Sequence, residues 1–490
     1  MPALRANIHL MKVILSILLL FPLLNGFTQD KKAIKYSKTI TLEDIKQHLN
    51  TLASDDFEGR GTGEPGQKKA ARYIANNFEA SGLIPPVSTS SGPSYYQEFK
   101  LYKSRYNTAY LKKGAERKEN LRDFLYYSRE ETMGEEYIEI IYCGDIENFD
   151  LRGLNVKDKF IAFSADEMTG WRSKLKDLER SQASGYVVIV GNENQYKFAL
   201  SRFGSAMVTP KIEFSLPDRG TQTIIANKQL AEWIFDKDLG RIKKGTIAKL
   251  IFNADMLIEK IESENVIGFI QGTEKPDEVI VVSAHYDHMG IINGKIYNGA
   301  DDNASGTSAI MEMAEAFAIA AENGDAPKRS ILFIAFSGEE EGLLGSKYYV
   351  EKPVRSIDNT IVNLNIDMIG RQDLKYSENP DYVYIIGSDR ISSDLHQLSE
   401  EINNKYSNLR LDYTYNDLND PNRYFERSDH YSFAQKNIPI IFYFNGTHGD
   451  YHQHTDTVDK INFLKIKKIT DLIFYTTWEI ANREEKIQLN

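Results

Sequence analysis

A single cysteine, Cys143, stands in a chain of 490 residues. One thiol cannot form an intrachain disulfide, a cysteine-based zinc site or a redox pair, so Cys143 is expected to be a buried structural thiol. Basic clusters are missing too. The formal net charge is −11, and no stretch is dense enough in Lys and Arg to give the basic face of a nucleic-acid binder. No nucleic acid is expected among the partners, and the negative balance favours solubility. No apolar run reaches the ~20 residues of a membrane-spanning helix. Repeats and low-complexity segments are absent. Histidine is scarce: there are nine, and none lies between Tyr110 and Ala254.

What is present is ordinary globular composition, 41% hydrophobic and 26% charged, long enough for more than one domain. The longest apolar run, Val13 to Leu24, follows Arg5 and Lys12 and precedes "NGFTQD". A basic lead, a short apolar core and then small residues read as a signal peptide over 1–28, with Gly26 and Thr28 at the usual positions before the cut. The expectation is an exported chain, periplasmic or extracellular, with no stable membrane anchor after leader cleavage.

Two amphipathic helices are expected next, "TLEDIKQHLNTLAS" and "GEPGQKKAARYIANNFEASG". The loop between them, "DDFEGRGTG", carries Glu58 and Arg60, which read as a loop ion pair. Over 110–257 the pattern changes to short strands such as "YIEIIYCG", "KFIAFSA" and "GYVVIVG", with one helical piece, "WRSKLKDLERSQAS". This reads as a mostly β module inserted between two parts of a larger domain, 38–109 and 258–486. In the second part, apolar runs rich in Val, Ile and Phe alternate with helical stretches. Such alternation predicts an α/β fold: a mainly parallel (mixed) central sheet sandwiched by helices. Reactive groups in such sheets collect past the carboxyl ends of the strands.

The residues after each run fit that rule. "EVIVVSA" ends at His285, with Asp287 two residues on. "SILFIAFS" runs into "GEEEG", with Glu339, Glu340 and Glu341. "TIVNLNI" ends at Asp367. "IPIIFYF" leads to "NGTHGDYHQHTDT", with His448, His452, His454 and Asp456. "NGADDNASG" adds Asp301 and Asp302. Each signal alone has a commoner structural reading: a satisfied polar residue, a solvated charge run, a helix cap. Together they bring imidazole and carboxylate to one sheet edge. Zinc above all accepts both donor types, and the count exceeds one tetrahedral site. A pair of metals bridged by a carboxylate fits better.

"AHYDH", "NGADDNASG", "SGEEEGLLGS", "NIDMIGR" and "DYHQHTDT", in this order, resemble the motifs of the secreted co-catalytic zinc aminopeptidases, peptidase family M28. The segment "LASDDFEGRGTGEPGQKKAARYI" is similar to the family's N-terminal helices, and the insert to its protease-associated domain. The resemblance implies the fold above and two Zn2+ per chain. By position, it implies His285 and Asp367 as ligands of one zinc, Glu340 and His452 as ligands of the other, and Asp302 as the bridge. It makes Glu339 the general base and has Asp287 accept the second ring N–H of His285. His454 replaces a common proline and is expected beside the site. Tyr424 is a candidate for the oxyanion-stabilising tyrosine, and His430 for a residue lining the site.

The activity implied is an exopeptidase acting on peptide substrates, an aminopeptidase. No arginine cluster suited to a substrate carboxylate is evident, which favours aminopeptidase over carboxypeptidase. Two other readings share the fold. A glutaminyl cyclase-type acyltransferase would use one zinc, and a non-catalytic binding relative would have lost ligands. The oligomeric state is not encoded legibly.

Overall fold

The computed structural model describes residues 29–128, 131–132, 134–165, 178, 180–216 and 222–490. The expected leader, and most of the helical piece expected over 171–184, lie outside the described residues. The chain divides into two compact units. One joins the residues up to Glu98 to Ser263–Asn490; the other is Phe99–Glu262. Each boundary lies within a continuous strand, Tyr96–Lys113 or Ile247–Ile270, so no turn residue marks it in the sequence.

The larger unit contains seven strands of a sheet: β1 (Ile247–Ile270, through its second half), β2 (Lys275–His285), β3 (Arg329–Phe336), β4 (Thr360–Ile366), β5 (Tyr382–Ile386), β6 (Arg410–Asp412) and β7 (Ile440–Phe444). Their order is β6-β5-β7-β4-β2-β3-β1. The central four, β3, β2, β4 and β7, run parallel. β1 and β5 flank them antiparallel. Ile280, Val282 and Ala284 of β2 pack into one core cluster, and Val279 and Val281 into the cluster on the opposite face. In β3, Ile331, Phe333 and Ala335 alternate with Leu332, Ile334 and Phe336 in the same way. Burial on both faces is the reason these strands read as unbroken apolar runs. Each Val, Leu, Ile or Phe among them contributes roughly 1.5–3 kcal/mol on leaving water.

Helices cover the sheet: α1 (Leu42–Leu52), α2 (Pro65–Ala80), α3 (Gly306–Glu322), α4 (Leu344–Glu351), α5 (Ser393–Ile402) and α6 (Phe463–Asn482). Three of their starts are set by side-chain caps. Thr41 accepts from the Asp44 amide, Ser392 from that of Leu395, and Asn462 from that of Lys465, each satisfying one orphan donor of the first turn. The alanine-rich α3 is buried along most of its length. The α/β sheet architecture is the one the apolar runs imply.

The smaller unit is more α/β than its short apolar runs suggest. Strands Glu136–Asp145, Phe160–Ala165, Gly185–Val190 and Gln222–Asn227 pair in parallel. Parallel neighbours need crossovers, and helix Glu193–Val208 supplies one of them. Cys143 is buried here, and burial pushes its thiol up to about 11, which keeps it inert.

Candidate metal centre

The four parallel strands end at one edge of the larger unit. His285 is the last residue of β2, and Asp367 directly follows β4. Glu339 and Glu340 lie in the turn after β3, His452 in the loop after β7, and Asp302 in the turn leading into α3. His285 Nε2 stands 3.3 Å from Asp302 Oδ1 and 3.3 Å from Asp367 Oδ1. His452 Nε2 stands 3.2 Å from Asp302 Oδ2 and 3.1 Å from Glu340 Oε2. Asp302 thus faces a different histidine with each oxygen.

These contacts suit cations between the side chains. Among the described residues, buried His285 Nε2 and Asp367 Oδ1 have no hydrogen-bond partner, although buried polar atoms are nearly always paired. Lone pairs aimed at a shared point make a ligand set. His285, Asp302 and Asp367 bring their ligand atoms within 4.8 Å of one another, and so do His288, Asp302 and Glu340. The donors are imidazole and carboxylate, the mixture that zinc takes.

The electrostatics are those of a dense, buried cage. Burial opposes charge on Asp302, but His285, His452 and His288 outweigh it and hold the carboxyl well below its usual range. Burial would lower His452, yet its contacts with Asp302 and Glu340 raise it to about 10. Burial likewise opposes charge on His285, and Asp367, Glu339, Asp287 and Asp302 overcome it, so the net shift is upward. Glu339 differs in sign. Burial is the largest cause, Asp367, Glu340 and Asp429 add to it, and the carboxyl is held well above its usual range. A carboxyl raised in this way suits acid–base work.

Buried hydrogen bonds aim the cage. Ser428 donates to Asp367 Oδ2 at 2.7 Å, leaving Oδ1 for His285. Asn365 in turn donates to Ser428 at 2.9 Å and accepts from Ser283 at 2.7 Å, which accounts for asparagine in the otherwise apolar β4. Asp456 Oδ2 accepts from the backbone amides of both Asp301 and Asp302. Gly299 has φ +54°, and a Cβ there would lie 2.1 Å from Asp302 O and 2.6 Å from the His288 ring, so only glycine fits this turn.

One expectation, the Glu58–Arg60 ion pair, is corrected by these contacts. The nearest acceptor to His285 Nδ1 is the backbone carbonyl of Asp287 at 3.1 Å, with the carboxylate at 3.7 Å. The Asp287 carboxylate instead accepts from the Glu339 amide at 3.2 Å and from Thr62 at 2.8 Å, so it braces the turn carrying Glu339. Arg60 does not pair with Glu58. Glu58 is half-exposed and pairs with Lys69 at 2.7 Å. Arg60 is fully buried, and its guanidinium donates to the carbonyls of Tyr286, Leu52, Asn298 and Gly299. It ties the turn after β2 to the turn before α3. A buried guanidinium needs every donor matched, and backbone carbonyls at chain bends supply the matches.

Reading the sequence alone missed His288. It is buried, and its Nδ1 is 2.6 Å from Glu340 Oε1, which leaves Oε2 for His452. The available signal was the three-residue spacing in "HYDH", which returns the second ring to the same turn.

A cleft opens onto Asp302, Glu339, Asp367 and His452 between Tyr424, Phe442, Phe444, Tyr451 and Arg427. Tyr424, expected here, lines it. His430 does not: it is buried, stacks on Phe442 at 4.5 Å, and donates from Nε2 to the Phe425 carbonyl at 2.8 Å. Burial lowers its ring to about 3. His454 lies at the periphery, 2.9 Å from Lys295 Nζ.

Residues 265–477 match the profile described as Peptidase family M28. The chain is 29% identical over 235 residues to Aminopeptidase YwaD of Bacillus subtilis, covering 46% of each chain. It is 29% identical over 185 residues to Probable glutamate carboxypeptidase LAMP1 of Arabidopsis thaliana, covering 37% of this chain and 25% of that one. The chain thus spans half or less of the length of these curated relatives. The solved aminopeptidase from Aneurinibacillus sp. strain AM-1 has a similar fold, with a TM-score of 0.55 at 18% identity over 94% of this chain and 98% of that one. The matched residues, 265–477, are those that carry His285, Asp302, Glu340, Asp367 and His452.

Proposed function

We propose that the protein is an exported di-zinc exopeptidase, an aminopeptidase that hydrolyses N-terminal residues from peptides. The observation that carries this reading is Asp302, with Oδ1 3.3 Å from His285 Nε2 and Oδ2 3.2 Å from His452 Nε2. One zinc would be held by His285 and Asp367, a second by Glu340 and His452, and Asp302 would serve both. When bound, the two ions supply Lewis acidity to water and to the scissile carbonyl.

The chain's own groups do the rest. Glu339 lines the cleft while Glu340 turns to His288 and His452. Glu339 Oε accepts a proton from water and delivers it to the leaving amine. Burial and the neighbouring carboxylates make that carboxylate basic enough for the task. The aromatic walls exclude bulk water from the reacting peptide. The hydroxyls of Tyr424 and Tyr451 are among the donors in the cleft able to meet a developing oxyanion.

Export rests on the basic, apolar leader, and the smaller unit is read as a protease-associated-like domain on "LRGLNVKDKFIAFSA" and "GYVVIV". A panel of aminoacyl p-nitroanilides, run with and without a chelator, tests the reading. Chelator-sensitive release of the N-terminal residue supports it. Turnover that survives full metal removal, or no turnover on any member, overturns it.

A further inference from the structure

Arg427 is the one arginine or lysine among the side chains lining the cleft. It directly precedes Ser428, the donor to Asp367, so its place beside the carboxylate cage is fixed by the same short turn. Its guanidinium donates to the Tyr451 hydroxyl at 3.1 Å and lies 5.1 Å from the centre of the Tyr424 ring. Both rings are cleft walls, so the charge is held at the opening rather than turned away from it. Among the described residues Arg427 has no ion-pair partner. The acid before it in the chain, Glu426, pairs with Arg423, and the one before Tyr451, Asp450, with Arg371 and Lys460.

Arg427 keeps an exposed guanidinium at the cleft opening, between the Tyr424 and Tyr451 rings. A planar guanidinium in that setting is suited to a carboxylate, which it grips through two parallel hydrogen bonds.

We propose that Arg427 is a specificity-determining residue that pairs with a carboxylate of the substrate. The proposal rests on the peptidase reading and adds the substrate class: short peptides bearing a negative charge close to the scissile bond. That carboxylate comes from the free C-terminus of a dipeptide or from an acidic side chain. Hydrogen bonds to a charged group set the expected gain at about ten- to a hundred-fold.

The test uses two matched pairs, leucylglycine against leucylglycinamide, and glutamyl- against glutaminyl-p-nitroanilide. Each is run on the zinc-loaded full chain and on Arg427→Met and Arg427→Lys. The wild type is expected to favour the charged member of at least one pair by ten-fold or more in kcat/KM, chiefly through KM. The pair that shows the preference identifies the source of the carboxylate. Arg427→Met should bring the ratio close to one, and Arg427→Lys should keep part of it. No preference in either pair, or a ratio that survives Arg427→Met, overturns the proposal. Hydrolysis of the neutral members stands as the separate check on the peptidase reading. If no member is hydrolysed, titration calorimetry of the same pairs decides. A charged-over-neutral affinity ratio lost in Arg427→Met keeps the arginine's role and removes the peptidase reading; equal affinities remove both.

Discussion

Glu339 and Glu340 are adjacent in the chain and face different partners. Glu340 Oε2 lies 3.1 Å from His452 Nε2, whereas Glu339 lines the cleft with Oε2 3.9 Å from His285 Nε2. The turn after β3 therefore offers one carboxylate as a ligand and the next as a proton acceptor. Glu339→Gln keeps the shape and removes the basicity. We expect zinc content unchanged by elemental analysis and kcat lowered by about 10²–10⁴-fold. Retained turnover would move the base elsewhere.

Ser428 fixes one oxygen of Asp367 so that the other meets His285. Ser428→Ala leaves Asp367 free to rotate. Partners of metal ligands typically affect metal affinity by about 10–100-fold. Competition with a fluorescent zinc chelator should show that loss at one of two sites, with a lowered melting temperature because buried Asn365 loses its acceptor. Full affinity in the variant would make this hydrogen bond incidental.

Arg60 holds four backbone carbonyls from a fully buried position. Gly299 O also accepts from the Ala304 amide, so Arg60→Met leaves the Tyr286, Leu52 and Asn298 carbonyls without this donor in the interior, at about 1–3 kcal/mol for each group that finds no water. The expected outcome is a loss of at least about 3 kcal/mol in stability, read from the denaturant midpoint. A midpoint shift equivalent to less than about 1 kcal/mol would mean that the two turns hold together without it.

Lys465 supplies a pH dependence remote from catalysis. It is buried, donates to the carbonyls of Pro380 and Tyr382, and sits 3.4 Å from the Tyr382 ring centre. Burial lowers its ammonium to about 7, against the partial opposition of Asp301, Asp373 and Asp381. The unfolded chain keeps a lysine pKa near ~10.4, so between pH 7 and pH 10 the unfolded state binds the extra proton. Stability from this group therefore rises with pH across that window, by at most about 1.4 kcal/mol per unit, and is flat below it. Lys465→Met should remove the slope. Parallel melting-temperature curves for the two proteins from pH 7 to 10 would contradict this.

The sheet was legible because burial on both faces leaves β2, β3, β4 and β7 as unbroken apolar runs, and a parallel sheet gathers the residues just past each run at one edge. His285, Glu340, Asp367 and His452 could be placed there by that rule alone, and Asp302 by the glycine-rich turn before α3. Contacts made across the chain were not legible. Nothing near Arg60 in the sequence announces that its partners are carbonyls, since a carbonyl is carried by every residue. The three-residue step from His285 to His288 was visible, but which carboxylate the second ring meets depends on how closely the Gly299 turn approaches. Arg427 gave no signal in the sequence, and only the fold sets it beside Tyr424 and Tyr451 in the cleft wall.

The central claim is that Asp302 serves two cations at once, and counting them tests it most directly. Zinc titrated calorimetrically into the chelator-stripped chain should bind at two equivalents, and Asp302→Ala should lose both as tight sites. One equivalent or none in the wild type, or two equivalents retained in Asp302→Ala, would contradict it.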